Sequence, residues 1–340
     1  YYYPTTDLIT GPDIIFFWVA RMIMAGEEYQ KEVPFKKVYF TGIVRDKLGR
    51  KMSKSLGNSP DPIELIDKYG ADGVRVGMML TAPAGNDLPF DEALCEQGRN
   101  FCNKMWNALR LVKGWKVDEN IAQPETAKMA MRWFEERFQQ VLQETNDNLD
   151  KYRLSDALMG IYKLVWDDFC SWYLEMVKAP MGQPLDAVTY NATVTFFENL
   201  MKILHPFMPF ITEEIWQSLP HEGSALIVAQ WPQCRDDLSF RTECDQMESV
   251  MDAIRAIRNR RAEMNVPPSK KAALYVLTAK PQVFTEGEGF LLRLAYADTV
   301  TLLDKEPENL DGMVTITTAD AKLYIPMGQL VDVAKELARI

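Results

Sequence analysis

A chain of 340 residues, 47% hydrophobic and 25% charged, has the composition of an ordinary globular protein of two or three domains, which excludes disordered, collagen-like and low-complexity classes. A net charge of −10, from 38 basic and 48 acidic residues, excludes capture of nucleic acid by a global positive field and leaves that task to local basic clusters. Five cysteines, at positions 95, 102, 170, 234 and 244, form no CxxC pair and no even framework, so a reducing, cytoplasmic setting is expected.

The opening YYYPTTDLITGPD lacks an initiator Met, a basic n-region and a cleavage site, and is expected to be the interior of a longer polypeptide. Over the first ninety residues, short β-type runs at 8–10 and 37–40 alternate with helical segments and Gly/Pro-rich joints, which is how α/β units read. Residues 13–27 predict a helix opened by Asp13, apolar on nearly every side and therefore buried. Its apolar runs, 14–20 and 22–25, are split by Arg21 and fall short of the roughly 18 residues a membrane span needs, so no membrane partner is expected.

From about residue 91 to 264 helical periodicity takes over. Leu158, Ile161, Tyr162, Val165, Phe169, Trp172, Tyr173 and Met176 recur at helical spacing behind an expected N-cap at Ser155, which predicts an all-α bundle. After Val266-Pro267-Pro268, β-rich runs at 273–277, 299–303, 314–317 and 323–325 surround one helical stretch near 290–296, which predicts a small α/β domain. Residues 331–340 have helical character without a C-cap and read as the start of a further helix. No internal repeat of fixed period is present.

The most informative stretch is 41–58, TGIVRDKLGRKMSKSLGN. Lys51 and Lys54 stand in a short loop with Ser53 and Ser55, punctuated by Gly49 and Gly57, just after an expected strand. Most lysine clusters are solvated turns. In an α/β setting, however, ligands gather at the carboxyl ends of strands, and mobile ammonium groups aimed at developing charge suit a polyphosphate.

Lys51-Met52-Ser53-Lys54-Ser55, followed by LGN, resembles the second ATP-binding motif of class I aminoacyl-tRNA synthetases. The resemblance implies a loop that closes over ATP, with Lys51 and Lys54 catalytic, Met52, Ser53 and Ser55 in the ATP site, and magnesium accompanying ATP without a metal site in the protein. Residues 10–22, TGPDIIFFWVARM, are similar to the ribose-side and amino-acid-side motif of the valyl members. That likeness implies Gly11 and Asp13 at the ribose of ATP and Ile14 with Trp18 lining a pocket for the valine side chain. A glycine removes a blocking Cβ, and an indole beside a branched aliphatic can close a small dry pocket; core packing is the plainer alternative for Ile14 and Trp18.

GRNFCNKMWNALR (98–110), DDFCSWYLEMVK (167–178) and LHPFMPFITEEIW (204–216) resemble the junction helix and later bundle helices of the same family. Arg99, Asn103, Lys104 and Asn107 lie at helical spacing and are candidates for tRNA backbone contact, with Phe101, Met105 and Trp106 turned inward. Residues 250–271 carry six basic against two acidic side chains, which nominates Arg255, Arg258 and Arg261 as a further tRNA patch.

By this likeness residues 1–92 are the C-terminal part of a Rossmann-type catalytic domain with the KMSKS loop and stem-contact region. Residues 93–266 are then a helical anticodon-binding domain, 267–330 a small α/β domain and 331–340 the start of a C-terminal helix. The implied activity is ATP-dependent activation of valine and its transfer to tRNA(Val), by a monomer. The family's His-Ile-Gly-His motif has no counterpart, since the two histidines, His205 and His221, are sixteen apart, and His205 before Pro206 is expected to be structural. The chain alone is therefore expected to bind tRNA without catalysing. Two alternatives are an isoleucyl member, against which the lack of CxxC pairs counts, and a non-catalytic tRNA-binding module.

Overall fold

The computed structural model describes residues 1–81, 87–235 and 237–330. Contacts divide the chain into two units, one of residues 1–114, 139–170 and 193–234, the other of residues 115–138, 171–192 and 235 onward. Each unit gathers segments far apart in sequence. The helical character expected for residues 331–340 lies outside the described residues.

In the first unit, β1 (Thr5–Thr10) and β2 (Phe35–Phe40) pair in parallel, with Thr5 opposite Phe35 and Thr10 opposite Phe40. A parallel pair needs a long crossover. Here it is one continuous helical path made of a 3₁₀ turn (Pro12–Ile14), a π-helical turn (Ile15–Val19), α1 (Ala20–Ala25) and a second π-helical turn (Gly26–Gln30). Two expectations are corrected. Gly11, not Asp13, occupies the N-cap, with Pro12 following it and no side-chain cap. The helix is also not buried: only Val19 and Gly26 are, whereas Phe16 is 82% and Phe17 65% exposed. Apolar composition supplies the drive for burial, but a two-stranded sheet is too narrow to cover a helix on all sides.

β3 (Val44–Arg45) and β4 (Leu88–Pro89) form a second short parallel pair. α2 (Pro62–Tyr69) is capped by Asp61, which accepts from the Ile63 amide at 2.8 Å. α3 (Ala71–Met79) packs on α4 (Glu92–Lys113), itself capped by Asp91. Glycines set that approach, since a Cβ on Gly98 would stand 2.5 Å from the Gly73 carbonyl oxygen and one on Gly77 would stand 2.7 Å from the Cys95 nitrogen. No residue with a side chain fits there.

The further helical segments are α5 (Glu125–Asp150), α6 (Leu154–Lys163), a π-helical run (Leu164–Tyr173), α7 (Leu174–Val177), α8 (Ala187–Leu204) and α9 (Pro209–Gln217), of which α6 and α9 belong to the first unit and α7 to the second. The periodic positions Leu158, Ile161, Val165, Phe169, Tyr173 and Met176 are all buried, as their spacing predicts. Ser155 is not the cap; Arg153 holds that position and the Ser155 hydroxyl donates to the Met79 carbonyl at 2.8 Å. Tertiary contact has outcompeted capping for that hydroxyl. Within the same unit, buried Asp72 on α3 accepts from the Ile211 and Phe210 amides at 2.6 and 3.4 Å, and so caps α9 from a distance. Burial pushes its carboxyl above the ordinary range, against the pull of those two amides. Arg75 donates to the carbonyls of Phe207 and Pro206 at 2.9 and 3.1 Å, and His205 bonds Thr212 at 2.8 Å, a structural position.

In the second unit, β5 (Val117–Asp118) and β6 (Leu185–Asp186) form a parallel bridge, and α10 (Arg241–Glu263) runs beside the small sheet. That sheet has the order β8-β7-β10-β9, built from β7 (Ala272–Thr278), β8 (Ala297–Leu303), β9 (Met313–Thr317) and β10 (Ala321–Pro326). β7 and β8 are parallel, joined through α11 (Pro281–Glu286) and α12 (Glu288–Leu294), while β10 is antiparallel to both neighbours. Ala272, Leu274 and Val276 alternate inward and are buried, as are Phe284, Phe290 and Leu291 of α11 and α12. An α/β start, a predominantly helical middle and a small α/β sheet are therefore observed.

Candidate functional site

Residues 41–58 leave the carboxyl end of β2, and residues 11–13 leave the carboxyl end of its neighbour β1; the Thr41 amide donates to the Thr10 carbonyl at 2.9 Å. Parallel pairing thus puts both sequence motifs at the same edge of one sheet, the place where such folds bind ligands. Across that edge the Lys51 ammonium meets the Asp13 carboxylate at 3.0 Å, joining residues 38 apart in sequence. Both side chains are more than half exposed, so the pair is weak, about 0–1 kcal/mol, and can be exchanged for another anion.

The loop is shaped by its own polar groups. The Asp46 carboxylate accepts from the Leu48 amide (3.0 Å), the Arg50 amide (2.8 Å), the Arg50 guanidinium (2.8 Å) and the Asn58 amide group (2.9 Å). The Asn58 and Arg50 hydrogen bonds hold that carboxyl well below the usual range. Gly49 closes the turn at φ +76°, a conformation that favours glycine. Lys51 then bridges Arg45, and the Ser53 hydroxyl caps a 3₁₀ turn (Lys54–Leu56) by accepting from the Leu56 amide at 3.2 Å. Ser53 and Ser55 share a hydrogen bond of 3.1 Å. Lys54 is exposed and has no ionic partner among the described residues.

Behind the loop lies a cavity of about 450 Å³ lined by Val44, Lys51, Met52, Leu65, Met78 and Phe90. Ile14 and Trp18 lie one helical turn apart beyond Asp13, and both reach solvent. Asp46 and Asn58 are the residues that sequence reasoning passed over, although both lie in the stretch singled out; the available signal was an Asp followed at i+3 by Gly, the mark of a self-bonded turn.

Residues 1–91 match the family described as tRNA synthetases class I (I, L, M and V), and residues 131–276 match the anticodon-binding domain of tRNA ligase. The whole chain aligns with valine–tRNA ligases: 53% identical to that of Parabacteroides distasonis, 54% to that of Phocaeicola vulgatus and 41% to that of Clostridium acetobutylicum. The chain is thus similar over its whole length to valine–tRNA ligases. It spans 38% of the length of the first two of these relatives and 40% of the third. A solved LeuRS from Agrobacterium radiobacter K84, in ternary complex with tRNA and LeuAMS, superposes with a TM-score of 0.52 at 20% identity. That match covers 69% of this chain and 29% of that one, and it concerns the fold alone.

The match to an anticodon-binding domain directs attention to the RNA candidates, which fall in different units. In the first, Asn103 and Asn107 are exposed on α4. Arg99 is half-buried, stacked over the Tyr69 ring at 5.6 Å and paired with Glu96 at 3.3 Å, and Lys104 lies over the Trp166 ring at 5.3 Å. Phe101 and Met105 turn inward as expected, but Trp106 does not.

In the second unit, Arg261 corrects the expectation of a phosphate contact. It is only 4% exposed and donates to the carbonyls of Pro267 (3.1 Å) and Lys270, so it fastens the end of α10 to the chain entering β7. Arg258 donates to the Leu294 carbonyl at 2.7 Å and stacks on Trp172, which leaves it little freedom for RNA. Arg255 stacks on the same indole, pairs with Asp252 and Glu248, and keeps its guanidinium partly in solvent. Among the described residues no group of three or more His, Cys, Asp or Glu could hold a metal, and no helix is long and apolar enough to cross a membrane.

Proposed function

We propose that this chain supplies the KMSKS-loop side of a site that condenses valine with ATP to valyl-adenylate and then charges tRNA(Val). The observation that carries the reading is the Lys51–Asp13 meeting at 3.0 Å, which joins the two family motifs at one sheet edge. In this role Lys51 and Lys54 act as point charges on the triphosphate, where charge grows as pyrophosphate departs. Asp13 exchanges its ammonium partner for ribose hydroxyls, Gly11 lets the sugar approach the backbone, and Ile14 with Trp18 contact the valine side chain. Magnesium enters with ATP as substrate. Arg99, Asn103, Lys104, Asn107 and Arg255 supply tRNA backbone contacts, and the protein acts as a cytoplasmic monomer.

The test is valine-dependent ATP–pyrophosphate exchange by the full-length protein. Exchange that depends on valine and not on isoleucine is expected; exchange driven equally by isoleucine would overturn the substrate assignment. The chain on its own should bind tRNA(Val) yet fail this assay, because the parts of such a site act as a unit.

A further inference from the structure

The Asp46 carboxylate and the Asn58 amide meet at 2.9 Å across twelve residues, and the segment they enclose is the KMSKS loop itself. Asn58 also reaches the main chain of that pentapeptide. Its side-chain oxygen accepts from the Ser53 amide at 2.9 Å, and its nitrogen donates more weakly to the Lys51 carbonyl at 3.4 Å. Asp46 ties the entry, holding the Leu48 and Arg50 amides, and its side chain is only 12% exposed. Every one of these contacts on the pentapeptide is to backbone. The lysine side chains are left outside the network, with Lys51 ending on Asp13 and Lys54 in solvent.

An exposed loop without such ties loses much conformational freedom when it binds a ligand, and a misplacement of about 1 Å of a charge-stabilising group can cost about 10²-fold in rate. We infer that Asp46 and Asn58 form a positioning pair that presets the backbone of residues 51–55, so that both lysines meet the triphosphate from an already ordered loop. The inference rests on the activation chemistry proposed above. The pair touches no substrate and acts through Lys51 and Lys54. The depressed carboxyl of Asp46 agrees with a charge held by four donors rather than left to solvent.

The hydrogen bond between the two side chains has a direction, which gives a discriminating experiment. Asp46→Ala and Asn58→Ala each remove it. The exchange Asp46→Asn with Asn58→Asp restores it in reverse, because the amide at 46 now donates to the carboxylate at 58, whose second oxygen still accepts from Ser53. In the full-length protein, each alanine variant should lower kcat for valine-dependent ATP–pyrophosphate exchange by about 10-fold or more. KM for valine should stay within about 2-fold, since the amino-acid contacts lie elsewhere.

Charging of tRNA(Val) from supplied valyl-adenylate should also stay within about 2-fold, because that step does not use the triphosphate charges. The double alanine variant should be little worse than either single one, and the exchanged pair should recover part of the lost kcat, since the amide nitrogen now at 46 no longer accepts from the Arg50 guanidinium. Single variants with unchanged kcat, an equal loss in charging from valyl-adenylate, or an exchanged pair no better than the single variants would each overturn the pair's role. Wild-type protein without valine-dependent exchange would instead overturn the activation chemistry on which the pair depends, and it would do so before any substitution is made.

Discussion

In the loop of residues 51–58, Lys54 has no ionic partner among the described residues and Lys51 has one exposed partner. Along α10, Arg261 is sunk into the protein and bonded to two carbonyls, Arg258 is bonded to the Leu294 carbonyl, and Arg255 is shared between two carboxylates and an indole. Both regions are basic in sequence. They differ in whether the cations already have partners: groups left in water can move to a phosphate, whereas groups bonded inside would first have to abandon the carbonyls they hold.

The largest expected effect lies on the free side of the comparison. Lys54→Ala in the full-length protein should lower kcat for adenylate formation by ~10² or more while KM for valine moves little, by analogy with loss of one preorganised charge-stabilising donor. Near-normal kcat would show that an exposed, unpartnered cation is no guide to function here.

On the bonded side, Arg261→Ala should destabilise the second unit by about 1.5–3 kcal/mol, because the carbonyls of Pro267 and Lys270 lose a charged donor. Thermal unfolding reads this directly, and tRNA affinity per folded molecule should be unaltered. A variant as stable as wild type but with a smaller salt dependence of tRNA binding would return Arg261 to the RNA surface.

Trp18, exposed beside the Asp13 end of the site, sharpens the comparison for an apolar group. Trp18→Ala should activate isoleucine relatively better and valine worse, within the 1–3 kcal/mol or so that a hydrophobic pocket gains per methylene. An unchanged valine-to-isoleucine ratio of kcat/KM would assign Trp18 to packing.

Arg255 is intermediate, partnered yet partly in water. Arg255→Ala should reduce the log–log salt slope of tRNA binding by about 1, equally for cognate and anticodon-swapped tRNA. A loss confined to the cognate tRNA would mean base readout instead.

The smallest effect concerns pH. Asp46 titrates below its ordinary value of 3.8 in the folded loop, so its contribution is present above that value and is lost as pH falls through and below it. Amide NMR shifts of Leu48 and Arg50 should therefore stay flat between about pH 8 and 5, and a carboxylate-like titration inside that window would mean the four-donor arrangement does not persist in solution.

Much of the fold was legible. The β-type runs at 8–10 and 37–40, which are the ends of β1 and β2, the periodic helix through Leu158 and Met176, and all four strands of the small sheet follow from local pattern. So does the site motif, because KMSKS and TGPD are contiguous residues whose chemistry is carried by type and spacing. The order β8-β7-β10-β9 was not legible, since strand patterns state which face turns inward and not which neighbour is chosen.

Residue types and their spacing by themselves determined where helices and strands form, which faces want burial and which loop gathers lysines. Only the tertiary structure decided whether those wants are met. Phe16 and Phe17 are as apolar as any core residue and yet lie open, Ser155 left its helix end for Met79, and Arg261 was taken by two carbonyls. The physical reason is common to all three: burial and hydrogen bonding are relations between groups distant in sequence, and a single residue specifies only its half of each.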